Sequence, residues 1–317
     1  MAKRNGTKAK NIQLVRQAGM TWINVVQPNR GTLAQLKERF PHFLDIDLQD
    51  CLPPFQRPKV LERPEYLFLV MLFPILDEKT GRIRSSEVDL FIGKDFVVTS
   101  HAGELPPLVE MGLRSEETLD ESSCLIPVNG SVARWTYNVL HALFISCFPL
   151  LTRIGNDING AEASLGETKR EAVREILRIR SNIVDFRKTM QGHLMVLRKF
   201  QERAPKHMDM SDLSPYFDDI AGHAREISEF LQSDHETINA IYDSHVSYLE
   251  LETNEATKTL TALAFVVFPM TLVATVFGMN AKYMPIIGHK YDFWIIMALM
   301  GVMMAVVGYY IRKKRWL

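Results

Sequence analysis

The stretch TLTALAFVVFPMTLVATVFGMNA, residues 259–281, decides the fold of this 317-residue chain because it contains no charged side chain. A second charge-free run, FWIIMALMGVMMAVVGYYI, follows at residues 293–311. Each run is close to the ~20 residues with which an α-helix crosses a ~30 Å hydrocarbon layer. The sequence therefore predicts two transmembrane helices joined by an external loop, residues 282–292. The alternative is a buried hydrophobic hairpin of a soluble protein.

The basic tail RKKRWL, residues 312–317, sets the expected orientation. Clusters of Lys and Arg beside a transmembrane helix stay on the cytoplasmic side. Two spans return the chain to the side on which it began, so both termini are expected in the cytosol. Four aromatic residues near the span ends are candidates for the interfacial belts: Trp294, Tyr309, Tyr310 and Trp316.

Overall composition excludes several classes of protein. Lys+Arg and Asp+Glu each total 37, so the net charge gives no indication of nucleic-acid binding. The three cysteines, Cys51, Cys124 and Cys147, form no CxxC pair and fit a reducing compartment. Neither a nucleotide-binding motif nor a nucleophile constellation is present, so we expect no enzyme and no use of ATP.

The N-terminal residues, 1–130, are expected to form an α/β domain in the cytosol. β-Branched and aromatic residues predict four strands, at residues 21–28, 66–74, 86–93 and 95–101. The sequence GKD between the last two predicts a tight hairpin turn. Residues 31–40 predict a helix that begins at a threonine cap, Thr32.

The second half of the chain is predicted to be helical. Cytosolic helices are expected over residues 131–206, with breaks near residues 155–166 and at residues 203–215. The apolar run at residues 142–151 is ten residues long and contains Pro149, so it is interpreted as a core helix and not as a third span.

An acidic stalk helix is predicted over residues 207–258. Residues 223–268 contain no Gly or Pro, which indicates one helix that continues into the first span. The fold class is therefore α+β.

Charge is sorted between the two long helical segments. Residues 169–206 carry eleven Lys/Arg against four Asp/Glu, whereas residues 209–255 carry twelve acids against Arg225. Two interpretations stay open. The helices pack through complementary charge, or the acidic segment concentrates cations near the membrane, where carboxylates are natural ligands of divalent ions.

One face of the first span carries a polar stripe. Its members recur at helical spacings of 4, 3, 4, 3 and 4: Thr257, Thr261, Ala264, Phe268, Thr271 and Thr275. Such a stripe predicts either a wet path, which needs several copies of a two-span chain, or threonines that bond to their own helix or to the second span. Pro269 frees a carbonyl that the Thr271 hydroxyl is expected to satisfy.

The outer end of this stripe, Gly278-Met279-Asn280, resembles the hallmark of the CorA family of magnesium transport proteins. In that family a Gly-Met-Asn triplet, preceded by an aromatic residue, closes the first of two C-terminal spans. The likeness continues at residues 254–255 and in five further segments: KTLT at 258–261, FPMT at 268–271, YMP at 283–285, QRPKV at 56–60 and PYFDDIAGH at 215–223.

The resemblance implies a homopentameric funnel in the lipid of the cell inner membrane, with a cytosolic domain and a central pore. Its cargo would be magnesium, with cobalt or nickel as further ions, and hydrated cations would enter at Gly278, Met279 and Asn280. The family's pore positions fall on six residues: Asn254, Thr257, Leu260, Phe268, Thr271 and Asn280. Thr261 and Thr275 join them from the polar stripe.

The resemblance also implies regulation by intracellular magnesium. Asp219 lines up with one of the family's regulatory carboxylates, and the other lies near Asp77. The sequence departs from the family at Thr257 and Phe268, where methionine is common, and in its loop, which is less acidic than usual. A zinc-transporting relative and a non-conducting, membrane-tethered divalent-ion sensor or scaffold are the alternatives.

Overall fold

The computed structural model describes residues 11–17, 19–114, 127–163, 170–279, 286, 288 and 290–313. The chain divides into two compact units, Met1–Ile241 and Tyr242–Leu317.

A six-stranded mixed sheet forms the centre of the first unit. Its strands lie in the order β1-β2-β6-β5-β4-β3. β2 and β6 are parallel, and the other neighbours are antiparallel. The strands are β1 (Ile12–Gln17), β2 (Met20–Val26), β3 (Lys59–Glu62), β4 (Leu67–Asp77), β5 (Arg82–Ile92) and β6 (Phe96–His101).

The four predicted strands are confirmed as β2, β4, β5 and β6. The hairpin turn between β5 and β6 is confirmed as well, because the Gly93 N–H donates to the Phe96 carbonyl at 3.0 Å. A Cβ on Gly93 would collide with the Phe96 ring, so any larger residue would have to displace that ring. β1 and β3 were not predicted; both lie at the edges of the sheet.

One face of the sheet is covered by α1 (Arg30–Arg39) and α2 (Asp45–Asp50). Its buried core consists mainly of aliphatic and aromatic side chains from alternate strand positions and from these helices: Ile23, Val25, Leu33, Leu36, Phe43, Leu48, Tyr66, Phe68, Val70, Phe91, Phe96 and Val98. Successive side chains of a strand point to opposite faces of the sheet, so the residues that face this core are two positions apart on each strand.

Asn29, and not Thr32, caps helix α1. The Asn29 side chain accepts hydrogen bonds from the Gly31 and Thr32 N–H groups at 2.9 and 3.1 Å. Thr32 occupies the third helical position, and its hydroxyl oxygen accepts from the Asn29 N–H at 2.9 Å. The prediction of a threonine cap was therefore wrong, because the two residues form a capping box in which asparagine takes the outer position.

Helix α3 (Pro106–Arg114) comes after the last strand, and the opposite face of the sheet packs against the helices of this part of the chain. Trp22 of β2 contacts Trp135 of α4 (Val132–Ile145), with ring centroids 4.7 Å apart. Asn182 of α6 (Arg170–Met190) accepts from the Ile83 N–H at 3.0 Å and donates to the Gly81 carbonyl at 2.9 Å. These bonds fix α6 against the β4–β5 hairpin, because each uses a buried polar group.

Strand β5 buries two carboxylates beside a thiol. Asp89 is 3% exposed, and within the described part of the chain its Oδ1 has no hydrogen-bond partner. Glu87 accepts a hydrogen bond from the Gln56 N–H at 2.5 Å. Burial, and then the charge of Glu87, raise the pKa of Asp89 well above its usual value. Burial also raises the pKa of the Cys51 thiol, with Asp89 as the next cause.

Helices α4 and α5 (Phe148–Ala163) are separated at Ser146 and Cys147. The prediction of a break near residues 155–166 was wrong at its start, because α5 continues through Gly155 and Gly160. By length and composition the segment Val132–Ala163 is a third candidate span. However, 44% of its most apolar window is buried, against 6% for each of the two candidates at the C-terminal end.

The first unit continues through α7 (His193–Arg203) and a 3-10 turn, Ala204–Lys206, to the start of α8 (Ser214–Phe277). The predicted break between residues 203 and 215 is confirmed. α8 has 64 residues and contains Pro269. A stalk helix that continues into the first apolar run is thus present.

The second unit contains the end of α8 and helix α9 (Asp292–Lys313). Both are long and apolar enough to cross a membrane. Their large apolar side chains are largely exposed in the single chain, for example Leu260, Phe268 and Val302. Apolar helices with so little internal packing need lipid or further copies of the chain around them.

Candidate functional site

The predicted pore positions all lie on helix α8 wherever the structure describes them. Asn254, Thr257, Leu260, Phe268, Thr271 and Thr275 are exposed in the single chain, and Thr261 is half-buried. Among the described residues, none covers most of the stripe within one chain, so its polar side chains are available to water, to ions or to other copies.

The threonine hydroxyls of the stripe donate to their own helix. Thr257, Thr261, Thr271 and Thr275 each bond the carbonyl four residues earlier, at 2.7 to 2.9 Å. This bonding is one of the alternatives left open by the spacing, and it fixes each hydroxyl beside the backbone.

The expectation for Pro269 was wrong. The Thr271 hydroxyl donates to the carbonyl of Val267 at 2.9 Å. The carbonyl that a proline at position 269 frees is the one four residues earlier, at Phe265.

The proposed filter begins where α8 ends. The Gly278 N–H donates to the Ala274 carbonyl at 2.9 Å, and the Met279 N–H donates to the Val276 carbonyl at 3.3 Å. A Cβ on Gly278 would lie 3.0 Å from the Ala274 carbonyl oxygen, which is closer than side chains normally approach. Asn280, the proposed contact to the hydrated ion, lies outside the described residues, and so do Trp316 and Cys124.

Asp77 lies at the end of β4, in the hairpin that leads to β5. Its Oδ1 accepts from the Lys79 N–H at 2.9 Å. Hydrogen bonds from the Thr80 side chain and from the Lys79 backbone lower the pKa of this carboxyl. Asp77 therefore stabilises the turn between β4 and β5.

Asp219 lies in a different environment, on the first turns of α8. Its Oδ2 is 3.4 Å from Nε2 of His223, one helical turn later. His141 of α4 faces the same place, with its ring centroid 5.6 Å from that of His223. One ligand atom from each of these three side chains lies within 4.8 Å of the others.

The surroundings of this histidine–carboxylate cluster change the acid–base behaviour of two neighbours. Burial, and then the nearby His223, lower the pKa of His141, whereas Asp219 acts in the opposite direction. Burial, followed by the charge of Asp219, raises the pKa of Tyr137. His141 is therefore largely neutral at physiological pH, in the form that binds metal ions.

Comparison with known proteins identifies the family. The sequence matches the model described as CorA-like Mg²⁺ transporter protein over residues 17–313. The chain belongs to the CorA-like Mg²⁺ transporter family. The proteins of this family are membrane proteins, in agreement with the two apolar helices of the second unit.

Two similar proteins can be aligned with nearly the whole of this chain. The cobalt/magnesium transport protein CorA of Thermotoga maritima is 27% identical over 304 residues, which are 94% of this chain and 83% of that protein. The putative metal ion transporter YfjQ of Bacillus subtilis is 27% identical, over 93% of this chain and 89% of that protein.

A solved structure, the CorA magnesium transporter of Methanocaldococcus jannaschii, has a TM-score of 0.79 at 19% identity, over 94% of this chain and 92% of that one. The α+β fold with a long C-terminal helix is thereby confirmed.

The structure of this CorA-family chain brings some predicted residues together and separates others. The described pore residues share helix α8, and Asp219 lies on the same helix. Asp77 is not a member of the cluster around Asp219 among the described residues. Sequence reasoning missed His141 and His223, although the spacing of Asp219 and His223 places both on one helical face.

Proposed function

We propose that this chain is a channel-like transporter of divalent cations in the cell inner membrane, with both termini in the cytosol. Its cargo is magnesium, with cobalt or nickel as further ions, and the membrane potential drives their entry. The observation that carries this proposal is the polar stripe of α8, most of which is exposed in the described part of the single chain; it ends one turn before Gly278, and a second apolar helix, α9, follows in the sequence.

Assembly follows from the number of spans. Two helices cannot enclose a water-filled path, so the stripes of several copies have to face a common axis. We infer a homopentamer, as the resemblance implies, with the α8 helices around the pore and the α9 helices outside them. Leu260 and Phe268 then form apolar rings that gate by excluding water.

Selectivity is assigned to Gly278, Met279 and Asn280. Mg²⁺ loses its water reluctantly. A ring of carboxamide and backbone oxygens is suited to bond the waters of the hydrated ion, and such a filter discriminates by hydrated size and charge. Gly278 has no side chain that would obstruct this approach.

The filter assignment is tested with Asn280→Ala in proteoliposomes that contain a magnesium-sensitive dye. We expect the flux to fall to the level of protein-free liposomes, because the carboxamide that holds the hydrated ion is lost. Asn239→Ala is the matched control, since it makes the same change in the first-unit part of α8 and should leave flux unchanged. An Asn280→Ala protein that assembles and conducts like the wild type would refute the assignment.

Regulation by intracellular magnesium is proposed for Asp219 and Asp77, on carboxylates that face each other across a subunit boundary. Asp219→Ala should raise the internal magnesium concentration needed for closure several-fold. Asp218→Ala is the matched control, because the Asp218 carboxylate accepts from Gln201 Nε2 at 2.8 Å. Equal responses of the two variants would place regulation elsewhere.

Two alternatives are separated by one flux experiment with the purified protein. Magnesium, cobalt, nickel and zinc are supplied in competition. A zinc-transporting relative would carry zinc in preference to magnesium. The resemblance argues against it, because zinc-handling members of the family tend to have isoleucine at the position of Met279. A tethered sensor or scaffold would bind these ions without conducting any of them.

A further inference from the structure

A cavity of about 200 Å³ lies beside strand β5, on the sheet face that α1 and α2 cover. Glu87 and Asp89 line it, and both share this face with Phe91 of the buried core, because alternate strand residues point the same way. At ~30 Å³ per molecule, the cavity has the volume of roughly six water molecules. It is therefore larger than a single metal ion requires.

The walls of this cavity are acidic inside and apolar towards the surface. Asp89 is 3% exposed and Glu87 is 7% exposed, whereas Phe55, which lines the same cavity, is 53% exposed. Pro28 and Leu52 are half-buried and extend the apolar part. A ligand that enters from the surface thus meets apolar side chains before it reaches the two carboxyl groups.

One oxygen of the buried carboxyl pair is unsatisfied. Asp89 Oδ1 has no hydrogen-bond partner within the described part of the chain. Glu87 differs, because its Oε2 accepts from the Gln56 N–H. A buried carboxyl oxygen that faces no donor raises the free energy of the folded state. A ligand that brings N–H donors into the cavity would remove this cost.

The charged groups around the pair leave an excess of negative charge. Asp50 of α2 is a third carboxyl, close enough to raise the pKa of both Glu87 and Asp89. Lys59 of β3 lowers the pKa of Glu87, but its Nζ lies 2.6 Å from Asp50 Oδ2. Three carboxyl groups thus share one lysine at this place in the described chain.

The imidazole that lines the cavity does not balance this charge. His101 Nδ1 accepts from the Gly103 N–H at 3.0 Å, which requires a neutral ring, and its Nε2 donates to Asn24 Oδ1 at 3.0 Å. Burial also lowers the pKa of His101 to about 4. Both ring nitrogens are in use, so His101 is neither a counter-ion nor a metal ligand in this arrangement.

The donor set of the cavity suits an organic cation better than a metal ion. Among the described residues, the side chains of this cavity do not form a group in which three ligand atoms lie within 4.8 Å of one another. An alkylammonium ion needs no such convergence. Its N–H groups can reach separate carboxyl oxygens, and its hydrocarbon part can pack against apolar walls.

We propose that this cavity binds a small primary alkylamine in its ammonium form, with N–H groups donating to Asp89 Oδ1 and Glu87 and with the alkyl chain against Leu52 and Phe55. An ammonium group has three donors and no acceptor, so it matches a pair of carboxyl groups. Hydrogen bonds between charged partners are about twice as strong as neutral ones.

This ammonium site goes beyond the proposed transport function. It lies in the first unit, and binding of an amine to it needs no conduction of ions. Binding can therefore be measured directly, and its failure would leave the proposed transport function untouched.

The experiment is isothermal titration calorimetry of the full-length protein in non-ionic detergent micelles at pH 8, with n-butylammonium chloride as the probe. We expect saturable binding of a single butylammonium ion per chain. n-Butanol has the same chain without the charge, and tetramethylammonium has the charge without an N–H donor. Each should bind at least tenfold more weakly than butylammonium.

Two variants test the site from its two sides. Asp89→Asn should weaken butylammonium binding at least tenfold, because it replaces the carboxylate by an amide. Ala102→Leu keeps both carboxyl groups but fills part of the cavity, which Ala102 lines, and it should weaken binding as well. Asp95→Asn, at an exposed position, is the matched control and should bind like the wild type.

The thermal midpoint of each variant, followed by tryptophan fluorescence, shows whether the first unit is still folded. Wild-type affinity for butylammonium in both Asp89→Asn and Ala102→Leu would overturn the proposal. Equal binding of n-butanol and butylammonium, or no saturable binding of butylammonium to the wild-type protein, would overturn it too.

Discussion

At the scale of single residues, Asp89 is expected to destabilise the first unit at neutral pH. Its folded-state pKa is raised, so the folded protein holds the proton more tightly than the unfolded chain does. The contribution of Asp89 to the free energy of unfolding is fully present below the pKa that it has in the unfolded chain. This contribution is lost as the pH rises through the pKa that Asp89 has in the folded protein. Asp89→Asn should therefore raise the thermal midpoint at pH 8 and have less effect at pH 4.

The measurement is intrinsic tryptophan fluorescence of the full-length protein during heating. Trp22 and Trp135 contact each other in the core of the same unit and report on its unfolding. Asp95→Asn, at an exposed position, is the matched control and should shift the midpoint little at either pH. A lower midpoint for Asp89→Asn at pH 8 would contradict the expected sign.

Some residues of the candidate site could be predicted from the sequence, and others could not. The triplet Gly278-Met279-Asn280 and the threonine stripe are local patterns, so they could be recognised from spacing and from family resemblance. His141 could not be assigned to Asp219, because the two residues are distant in the chain and meet only through the packing of α4 on α8. The spacing of Asp219 and His223 was a usable signal that was overlooked.

At the scale of elements, the capping box of α1 makes a separable contribution to stability. Asn29→Ala removes the acceptor for two N–H groups of the first turn and should destabilise α1 by about 1 kcal/mol. This corresponds to roughly fivefold faster amide exchange in α1, measured by hydrogen–deuterium exchange of the full-length protein. Asn29→Asp keeps a capping oxygen and should retain wild-type exchange; equal losses in the two variants would argue against the cap.

Elements were predictable wherever the local pattern and the tertiary environment agree. β4, β5 and β6 are rich in β-branched and aromatic residues because both of their faces are buried, and they were recognised. β1 and β3 are edge strands with polar residues, such as Lys59 and Glu62, that give a weak strand signal. The cap of α1 was misassigned because Asn29 and Thr32 are both good capping residues and only the backbone geometry distinguishes their positions.

At the scale of the whole molecule, the apolar surfaces of α8 and α9 predict self-association in the membrane. In the single chain 6% of each apolar window is buried, which leaves the surfaces of both helices open to contacts with other copies. Native mass spectrometry of the detergent-solubilised protein should show five copies of the 36.3 kDa chain. The variant Gly301→Ile tests whether α9 contacts a neighbouring copy of the chain. In the single chain, nothing lies within 4 Å of a Cβ added at Gly301.

Two outcomes are informative for that substitution. Loss of the oligomer in Gly301→Ile, with Gly155→Ile unchanged as a control at an equally open position of the first unit, would indicate a packed α9 surface. A stable assembly of another copy number would contradict the pentamer. The overall α+β architecture followed from hydropathy and family resemblance, whereas copy number is a property of surfaces between chains and is inferred from resemblance.

If the threonine stripe lines the proposed pore, its hydrogen bonds have a consequence for the sign of the ions that the pore admits. A hydroxyl has one proton, and at Thr257, Thr261, Thr271 and Thr275 that proton is donated to a carbonyl of the same helix. What remains on the outward side of each oxygen is lone-pair density. A row of such oxygens can accept hydrogen bonds from the hydration shell of a cation, but it offers chloride no donor, so the stripe acts against anions without carrying a single formal charge.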